Sequence, residues 1–388
     1  MLSSFRRVLV VCGFISLGTS GWADYLGEWT FRTNLPLKRV IYSGGMFVGV
    51  GPAGRVLTSR DGALWAAQNS QTQGELYGIA HRPPPSSMFV AVGDNIIIHS
   101  VDATNWTATA SPWLLRDVTY AGFRFVIVTA QISMSEPNVL YGTPSLPPLG
   151  GWMLTPRTFT AASASFQRVA YGNGIHVAVA DIYSGIWTSS NLLSWANHAV
   201  GSQYFQGVAF GNGRFVAAGL EGSPYVSTDN GVTWNRFYVN PEAGHFADDN
   251  YYVAEGMAFG DGKFAIFRGW RSNMFWSVNG SNWVVRPVPS GDFITGAFGK
   301  GTLVAVGPAG IWQSGSYAPA LTARRAALDQ PVEVSFLAET GRTYGIEAST
   351  NFTQWNEVFR TTNTTSSVRY LDWSATNSSR RFYRGVTP

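Results

Sequence analysis

Residues 205–234 read FQGVAFGNGRFVAAGLEGSPYVSTDNGVTW, and related phrases return at intervals of about forty residues along the chain. Seven copies can be aligned, and they begin at Leu37, Leu76, Leu115, Phe166, Phe205, Met257 and Ile294. A unit of this length cannot bury its own apolar faces, so neighbouring copies must stack on one another. The sequence therefore predicts a repeat protein.

Each copy has the spacing of four short β-strands. Runs such as Arg214–Ala218 are rich in aromatic, β-branched and small apolar residues. Gly-x-Gly and Asp-Gly pairs separate the runs, and such pairs supply the positive φ angles of tight hairpins. Sustained apolar spacing at i, i+3, i+4 and i+7 is absent. Four-stranded modules at this period are typical of propeller blades, whereas the coils of an open β-solenoid repeat at shorter intervals.

The seventh copy ends early, at Ile311–Ser314, without the strand that carries the recurrent tryptophan. The segment Leu26–Phe31 precedes the first copy and has the character of an isolated fourth strand. If that segment completes the last blade, the ring closes and its edges are covered. We therefore predict an all-β fold in which residues 24–317 form a seven-bladed β-propeller closed by the N-terminal strand. Six or eight blades stay open as alternatives because the third copy is irregular.

A turn near the end of most copies pairs a serine with an acid or amide two residues later, and a tryptophan follows. The turn residues that we predict to be structural are Ser59, Asp61, Trp65, Ser100, Asp102, Trp106, Ser227, Asp229, Gly231, Trp234, Ser277, Gly280 and Trp283. A short carboxylate or amide accepts bonds from turn N–H groups, glycine takes the left-handed position, and tryptophan packs between blades. The alternative is a calcium site at Asp229 and Asn230, but calcium wants more ligands than these two supply. We predict no metal ion and no cofactor.

The segment Ser227–Trp234 fits the pattern S-x-D-x-G-x-T-W at every fixed position and so resembles the Asp-box, or BNR repeat. With the Gly-x-Gly phrases, residues 26–317 resemble the Asp-box propeller superfamily, which includes the sialidases and the propellers of photosystem II assembly factors. The resemblance implies a fold more than an activity. Sialidases use an arginine triad, a Tyr–Glu nucleophile pair and an acidic acid/base, and an early F-R-I-P phrase supplies one arginine. Here the early segment is Phe31-Arg32-Thr33-Asn34, and no Tyr–Glu arrangement stands out.

The charge of the chain gives little support to nucleic-acid binding. The formal net charge is +4, and loss of Arg6 and Arg7 with a leader would leave +2. Residues 319–388 carry eight arginines against six acids, which accounts for that +2 and leaves the propeller close to neutral. A nucleic-acid partner calls for a clustered basic face, and we find none in the sequence.

Residues 1–23 resemble a secretory signal peptide. Two arginines form the charged start, an apolar run extends from Val8 to Leu17, and Gly21-Trp22-Ala23 supplies a small-residue exit. The run is too short to span a bilayer, and no later segment is long enough for a transmembrane helix. Cys12 is the only cysteine and would leave with the signal, and a mature chain without cysteine suits bacterial export. We expect a secreted or periplasmic protein.

The character of the sequence changes near residue 318. Residues 318–388 resemble a small, fibronectin-like β-sandwich of the kind found at the C-termini of exported bacterial multidomain proteins. The segments that carry this resemblance are Gly341–Asn351, Trp355, Tyr370–Asp372 and Arg380–Arg384. Alternation in Tyr344, Ile346 and Ala348 predicts a half-buried strand. The resemblance implies an extracellular accessory domain rather than an activity.

Two places are candidates for function. Propellers usually bind ligands on the face or channel where the innermost strands begin, and polar residues occur there: Arg39, Tyr77, Arg116, Gln167, Arg168, Gln206 and Glu255. This mixture suits a polar ligand, and solvated loop ends are the alternative. The second place is the insertion 240–253, which contains Glu242, His245, Asp248 and Asp249. Long loops on rigid scaffolds often carry function, yet no metal-ligand spacing such as H-x-x-H occurs in it.

The scaffold motifs are intact, whereas no catalytic residue set can be identified in the sequence. We therefore predict a secreted, non-catalytic propeller that recognises a protein or a glycan through one face. One alternative is a sialidase-like glycoside hydrolase or lyase with a non-standard active site, and a retaining mechanism there would need two carboxylates about 5 Å apart. Another is an assembly factor for an envelope complex, as the resemblance to the photosystem II factors implies.

Overall fold

Short antiparallel β-strands make up almost all of the regular structure in the computed structural model, and the described residues contain no α-helix. The structure describes residue 26 and residues 28–130, 136–144, 152–158, 165–180, 185–198, 200, 204–219, 223–237, 254–268, 272–289, 293–315, 321–325, 330–337, 343–351, 353–362, 364, 367–377 and 381–386. The chain divides into two compact units, of which the first is Leu26–Gly315 and the second includes the described residues from 321 onward.

The strands that the structure describes in the first unit belong to six antiparallel sheets. In chain order they are β1 (Trp29–Thr33), β2 (Arg39–Ser43), β3 (Met46–Val50), β4 (Val56–Ser59), β5 (Ala66–Gln68), β6 (Leu76–Arg82), β7 (Met88–Ser100), β8 (Thr107–Ala121), β9 (Arg124–Thr129), β10 (Val139–Pro144), β11 (Trp152–Arg157), β12 (Phe166–Gly172), β13 (Ile175–Ala180), β14 (Ile186–Ser189), β15 (Ala196–His198), β16 (Phe205–Gly211), β17 (Arg214–Gly219), β18 (Tyr225–Ser227), β19 (Asn235–Arg236), β20 (Gly256–Gly260), β21 (Lys263–Phe267), β22 (Asn273–Ser277), β23 (Val284–Pro287), β24 (Thr295–Gly299), β25 (Thr302–Gly307) and β26 (Gly310–Ser314).

Most of the sheets are four-stranded and built from consecutive strands. These are β2–β5, β12–β15, β16–β19 and β20–β23, and a fifth combines β24–β26 with β1. The remaining sheet, β6–β11, has six strands. Its long strand β8 pairs with β7 through Thr107–Ala110 and with β9 through Leu115–Ala121, so it belongs to two successive modules.

The first strands of successive modules lie side by side around a closed circle. Strand β2 contacts β6, β6 contacts β8, and β8 contacts β12. The series continues through β16 and β20 to β24, and β24 contacts β2. These inner strands therefore surround a central channel, and the first unit is a β-propeller. The all-β propeller that the sequence predicts is confirmed.

The apolar core of the ring lies between neighbouring sheets. Val40 and Phe47 of the first sheet pack with Val304 and Ile311 of the last. The other clusters of the ring likewise draw on two adjacent modules. Because burial of one large aliphatic or aromatic side chain contributes about 1.5–3 kcal/mol, each sheet depends on its neighbours for stability.

The N-terminal strand closes the ring, as the sequence predicts. Strand β1 pairs with β26 in antiparallel register, with the Cα partners Trp29–Ser314, Thr30–Gln313 and Phe31–Trp312. The indole of Trp29 also stacks on Phe293, with ring centroids 5.8 Å apart. This pairing covers an edge of β26 that would otherwise offer unpaired N–H and C=O groups to solvent.

The serine turns at the ends of the modules share one hydrogen-bond pattern. The Ser227 hydroxyl donates to Asp229 Oδ1 (2.8 Å) and accepts the Gly231 N–H (2.7 Å). Asp229 Oδ1 accepts the Thr233 N–H (2.9 Å), and the Trp234 indole donates to the Gly231 carbonyl (3.0 Å). The turns that begin at Ser59 and Ser277 have the corresponding bonds. In the turn at Ser100 the serine hydroxyl accepts the Asp102 N–H instead, and the other bonds correspond. They tie each turn to itself, so one motif serves in several modules.

An asparagine can replace the carboxylate in this turn. Asn279 and Asn191 accept two turn N–H groups each through Oδ1. The same arrangement occurs in the second unit, where the Ser349 hydroxyl donates to Asn351 Oδ1 and the N–H groups of Thr353 and Gln354 donate to it at 3.0 Å. The turn is therefore a local device that does not require a propeller around it.

The described residues of the second unit form two three-stranded sheets. Its strands are β27 (Thr322–Arg325), β28 (Val332–Leu337), β29 (Thr343–Ser349), β30 (Asn356–Thr362), β31 (Ser367–Asp372) and β32 (Phe382–Val386), with a 3₁₀ turn at Trp373–Asn377. The sheets are β27–β28–β31 and β30–β29–β32. Val334 and Phe336 of one sheet pack with Tyr344 and Ile346 of the other. Buried Asp372 accepts hydrogen bonds from Arg381 and Tyr383, which ties β31 to β32.

Candidate functional site

The candidate site is the end of the channel at which the inner strands begin, and we call it the mouth. Four inner strands, β6, β8, β12 and β16, have an irregular register there. The residues passed over by the pairing are Tyr77, Arg116, Gln167 and Gln206. A bulge takes one residue out of the ladder and redirects its side chain. Four of the side chains that the sequence nominates therefore owe their orientation to bulges.

Three arginines from three different modules interact with two carboxylates at the mouth. Arg39 Nη2 lies 3.6 Å from Asp117 Oδ2. Burial lowers the pKa of Arg168 to about 10, with the positive charge of Arg39 as the next cause and Asp117 acting against it. The positive charge of Arg116 also lowers the pKa of Arg168, and the negative charge of Glu255 raises it. Three guanidinium groups gather many N–H donors at the mouth, and guanidinium donors suit carboxylate, phosphate and other oxygen acceptors of a ligand.

Asp117 is the centre of this cluster. It is 1% exposed, and its Oδ2 accepts the backbone N–H of Val169 from the next module at 3.2 Å. Its Oδ1 has no hydrogen-bond partner among the described residues. Gly78 makes room for it, because a Cβ at that position would lie 2.7 Å from Asp117 Cα and 2.8 Å from Oδ1. Asp117 thus holds Arg39 and the neighbouring strand together from inside the ring.

A second polar group surrounds Tyr77. The Tyr77 hydroxyl lies 3.0 Å from Glu75 Oε2 and 3.2 Å from Asp94 Oδ2. Lys38 pairs with Glu75, and both Lys38 and Arg116 lie over the tyrosine ring, at 4.3 and 5.0 Å from its centroid. Burial raises the pKa of Tyr77 to about 12, and the hydrogen bond to Glu75 adds to the shift. The Lys38 hydrogen bond lowers the pKa of Glu75, so at neutral pH the tyrosine keeps its proton and the glutamate its charge.

The Tyr77–Glu75 contact corrects the sequence-based statement that no Tyr–Glu arrangement stands out. The two residues are only two positions apart, at the point where β6 begins. In a regular strand, positions i and i+2 point to the same face. Tyr77 is a bulge residue and Glu75 precedes β6, so this rule does not cover the pair, and nothing in the sequence indicates that the two side chains meet at the mouth.

The structure brings some of the nominated residues together and leaves others apart. Arg39, Arg116, Arg168 and Glu255 interact, and Tyr77 joins them through Arg116. Gln167 donates from its amide to the Ser165 hydroxyl at 3.4 Å, and Gln206 is half-buried on β16. The predicted loop residues Glu242, His245, Asp248 and Asp249 lie outside the described residues. The residues that sequence reasoning missed are Lys38, Glu75, Asp94 and Asp117.

No group of three or more His, Cys, Asp or Glu residues suited to a metal ion occurs in the described part of the chain. The carboxylate of Asp229, the alternative calcium ligand, is engaged by Ser227 and Thr233 within its own turn. Among the described residues there is also no helix long and apolar enough to cross a membrane. The chemistry of the mouth is that of charged and hydrogen-bonding side chains.

The channel contains a cavity of about 270 Å³. Strands β2, β16, β20 and β24 supply the described residues that line it. Most of these are apolar, and Arg39 and Thr295 are the polar exceptions near the strand starts. The mouth and the cavity therefore share Arg39.

Comparison with known proteins shows similarity in fold alone. No protein-family model matches the sequence, and no curated protein matches it. A streptogramin B lyase superposes with a TM-score of 0.61 at 10% identity, over 75% of this chain and 99% of the lyase chain. YCF48 bound to a D1 peptide gives a TM-score of 0.56 at 15% identity, over 75% of this chain and 94% of the other.

PorZ, a bacterial surface component of the type-IX secretion system of Porphyromonas gingivalis, gives a TM-score of 0.57 at 11% identity. The match covers 92% of this chain and 56% of PorZ. All of these identities are too low to carry an activity from one protein to another. The three structures support the propeller fold, and they belong to proteins with unrelated roles.

Proposed function

We propose that this chain is an exported, non-catalytic propeller that binds a partner through the mouth. The observation that carries the proposal is the meeting of Arg39, Arg116 and Arg168 with Asp117 and Glu255 on strands from several modules. Such a cluster offers many hydrogen-bond donors on a rigid ring. A protein segment or a glycan with anionic groups fits this chemistry.

Similar folds support a protein partner. YCF48 is a propeller that binds a D1 peptide, and PorZ is a component of a secretion system. A propeller fold can therefore belong to a protein that binds a peptide or forms part of a larger assembly. An assembly factor for an envelope complex is a narrower form of the same proposal, and in that case the partner would be one subunit of a membrane complex.

Partner capture with paired variants tests the proposal. Full-length protein is immobilised and exposed to envelope extract and to a glycan array. The variant Arg116→Gln/Arg168→Gln should lose the captured protein or glycan. The control variant Arg214→Gln/Arg236→Gln, on β17 and β19 outside the inner strands, should retain it. If the wild type and both double variants capture the same proteins and glycans, the mouth is not the binding surface. Co-purification of the wild type with a membrane complex would identify the assembly role.

A glycoside hydrolase is the second candidate, because the structure places Tyr77 against Glu75 beside the three arginines. The protonation states argue against it. A general base works best with a pKa near the working pH, whereas the pKa of Glu75 is lowered and that of Tyr77 is raised to about 12. The phenol therefore has no ready base. Release of methylumbelliferone from a panel of glycosides that includes a sialoside, abolished in Tyr77→Phe, would replace the binding proposal with this one.

Several finer assignments belong to the same proposal. We assign the serine turns to the Asp-box class, the ring to seven blades with the six-stranded sheet counted as two, and the second unit to a fibronectin-like β-sandwich.

We also propose that residues 1–23 direct export to the periplasm or cell exterior. Mass spectrometry of protein expressed with its native N-terminus in a bacterial host should give a mature chain that begins at Asp24, recovered from the periplasm or medium. Retention of Met1 in the cytoplasm would overturn the export assignment.

A further inference from the structure

Most of the residues that line the channel cavity have apolar side chains. Its lining includes Ile41, Val208 and Met257, and the aromatic rings of Tyr42, Phe259 and Phe298. Its volume of about 270 Å³ is many times the ~10–15 Å³ that a single water molecule needs. A cavity of this size and lining can enclose a small apolar group.

Two polar side chains line the same cavity where the strands begin. Arg39 and Thr295 hold matching positions in β2 and β24, three residues before Tyr42 and Phe298. Thr295 is 2% exposed, and its hydroxyl has no hydrogen-bond partner in the described part of the chain. Arg39 is near Asp117 at 3.6 Å but donates no hydrogen bond to any described residue. Buried polar groups are nearly always hydrogen-bonded, so the unpartnered Thr295 hydroxyl is a candidate donor to a ligand. The Arg39 guanidinium has N–H donors besides the one that faces Asp117.

The polar end of the cavity offers a guanidinium to a ligand. Arg39 Nη2 lies 3.6 Å from Asp117 Oδ2, and a guanidinium carries five N–H donors. The planar guanidinium fork matches a carboxylate in geometry. Three residues of strand separate Arg39 from Tyr42, which is ~10 Å along the channel. A matching ligand therefore has a carboxylate at one end and an apolar body about 10 Å long.

We propose that the channel cavity binds a small amphipathic carboxylate. Its carboxylate accepts hydrogen bonds from the Arg39 guanidinium and the Thr295 hydroxyl, and its apolar body packs against Met257, Phe259 and Phe298. The proposal goes beyond the partner assigned to the mouth, because this ligand occupies the channel and only Arg39 is common to both.

Calorimetric titration of the full chain tests the proposal with octanoate and 3-phenylpropionate, and with octanamide as the neutral counterpart of octanoate. We expect saturable 1:1 binding of at least one acid and at least tenfold weaker binding of the amide. Arg39→Met should weaken acid binding tenfold or more, and Thr295→Val about threefold to tenfold. The control Arg214→Met should bind as the wild type does, because Arg214 donates to the Asn279 carbonyl and does not line the cavity.

Ala258→Leu places extra volume in the cavity and should abolish binding of both acids while circular dichroism shows a folded chain. Thr295→Val keeps the volume of the side chain, so this variant tests the proposal if Ala258→Leu does not fold. Absence of saturable binding of either acid, equal binding of octanamide, or unchanged binding in Arg39→Met or Thr295→Val would overturn the proposal. Thr295→Val should leave capture of a mouth partner intact, which separates failure of this proposal from failure of the one for the mouth.

Discussion

At the scale of the residue, the glycine of the serine turn has two duties. Gly280 has a φ of +70°, and a Cβ there would lie 2.9 Å from Val216 Cγ2 of the preceding module. Gly262, in the first turn of the same module, also has a φ of +70° but has no atom near a Cβ. Gly280 is therefore needed both for the turn conformation and for close packing against the preceding module, whereas Gly262 is needed only for the turn conformation.

Alanine substitution should separate these duties. Gly280→Ala and Gly262→Ala share the cost of a left-handed alanine, which is about 1 kcal/mol. Only Gly280→Ala also forces the stiff side chain of Val216 to shift, and overpacking of that kind costs about 1–3 kcal/mol. Urea unfolding should show the larger loss of stability for Gly280→Ala. Equal losses would mean that the turn does not bear on the neighbouring module.

Acid should weaken the turn at Asp229. Hydrogen bonds from the Thr233 side chain and backbone lower the pKa of Asp229 to about 2, below its ordinary value of 3.8. The folded state thus favours the carboxylate, so its contribution is complete above pH 4 and is lost as the pH falls towards 2. Asp229→Asn should flatten the fall in Tm between pH 4.5 and 2, by a small amount because Asp229 is exposed. Parallel Tm profiles of wild type and variant would contradict this.

The sequence nominated all three arginines at the mouth and Glu255, but not Asp117, which organises them. Arg39 and Arg116 were found because they hold repeat positions at the starts of inner strands. Asp117 holds a repeat position too, but its partners Arg39 and Val169 belong to other modules. A contact between modules depends on how the sheets pack, and a pattern within one copy does not show it.

At the scale of the element, β1 is the strand that the sequence located best. The early end of the seventh copy and the isolated segment before the first copy both indicated its place, and β1 pairs with β26. The bulges of β6, β8, β12 and β16 were not indicated. Their sequences differ at the irregular position, where tyrosine, arginine and glutamine occur, so no residue type marks them.

Removal of β1 should destabilise the ring and make it self-associate. A chain that begins at Asn34 would lose the pairing with β26 and the stacking of Trp29 on Phe293. The exposed edge of β26 would then be available to another copy. We expect a fall in Tm of about 5–10 °C, equivalent to a few kcal/mol, and oligomers in size-exclusion chromatography with light scattering. A chain that begins at Leu26 is the control, and a monomeric truncation with an unchanged Tm would disprove the closing role.

At the scale of the whole molecule, two interfaces between neighbouring modules of the ring are packed alike. A Cβ on Gly211 would lie 2.2 Å from Phe259 Cε2, and a Cβ on Gly299 would lie 2.2 Å from Tyr42 Cγ. The first contact joins two modules that follow each other in the chain. The second joins the last module to the first, so the interface that closes the ring is packed as tightly as the one between two consecutive modules.

Because the two interfaces are packed alike, a substitution in either should cost a similar amount of folding stability. Gly211→Ala and Gly299→Ala each press a methyl group into an aromatic ring and should each cost at least 1–3 kcal/mol, roughly the usual cost of overpacking. Thermal and urea unfolding of the two variants should give losses of similar size. A much milder effect of Gly299→Ala would show that the last and first modules are loosely joined in solution.

The sequence by itself determined the modules: their period, their strands, their serine turns and the N-terminal strand that closes the ring. Hairpins and turns satisfy their hydrogen bonds within a few residues, as at Ser227–Trp234 and again at Ser349–Gln354, so local sequence suffices for them. Only the tertiary structure decided which side chains meet at the mouth and in the channel. Those contacts join strands far apart in the chain, as Asp117 and Val169 do, and they exist because the ring brings each inner strand against the next.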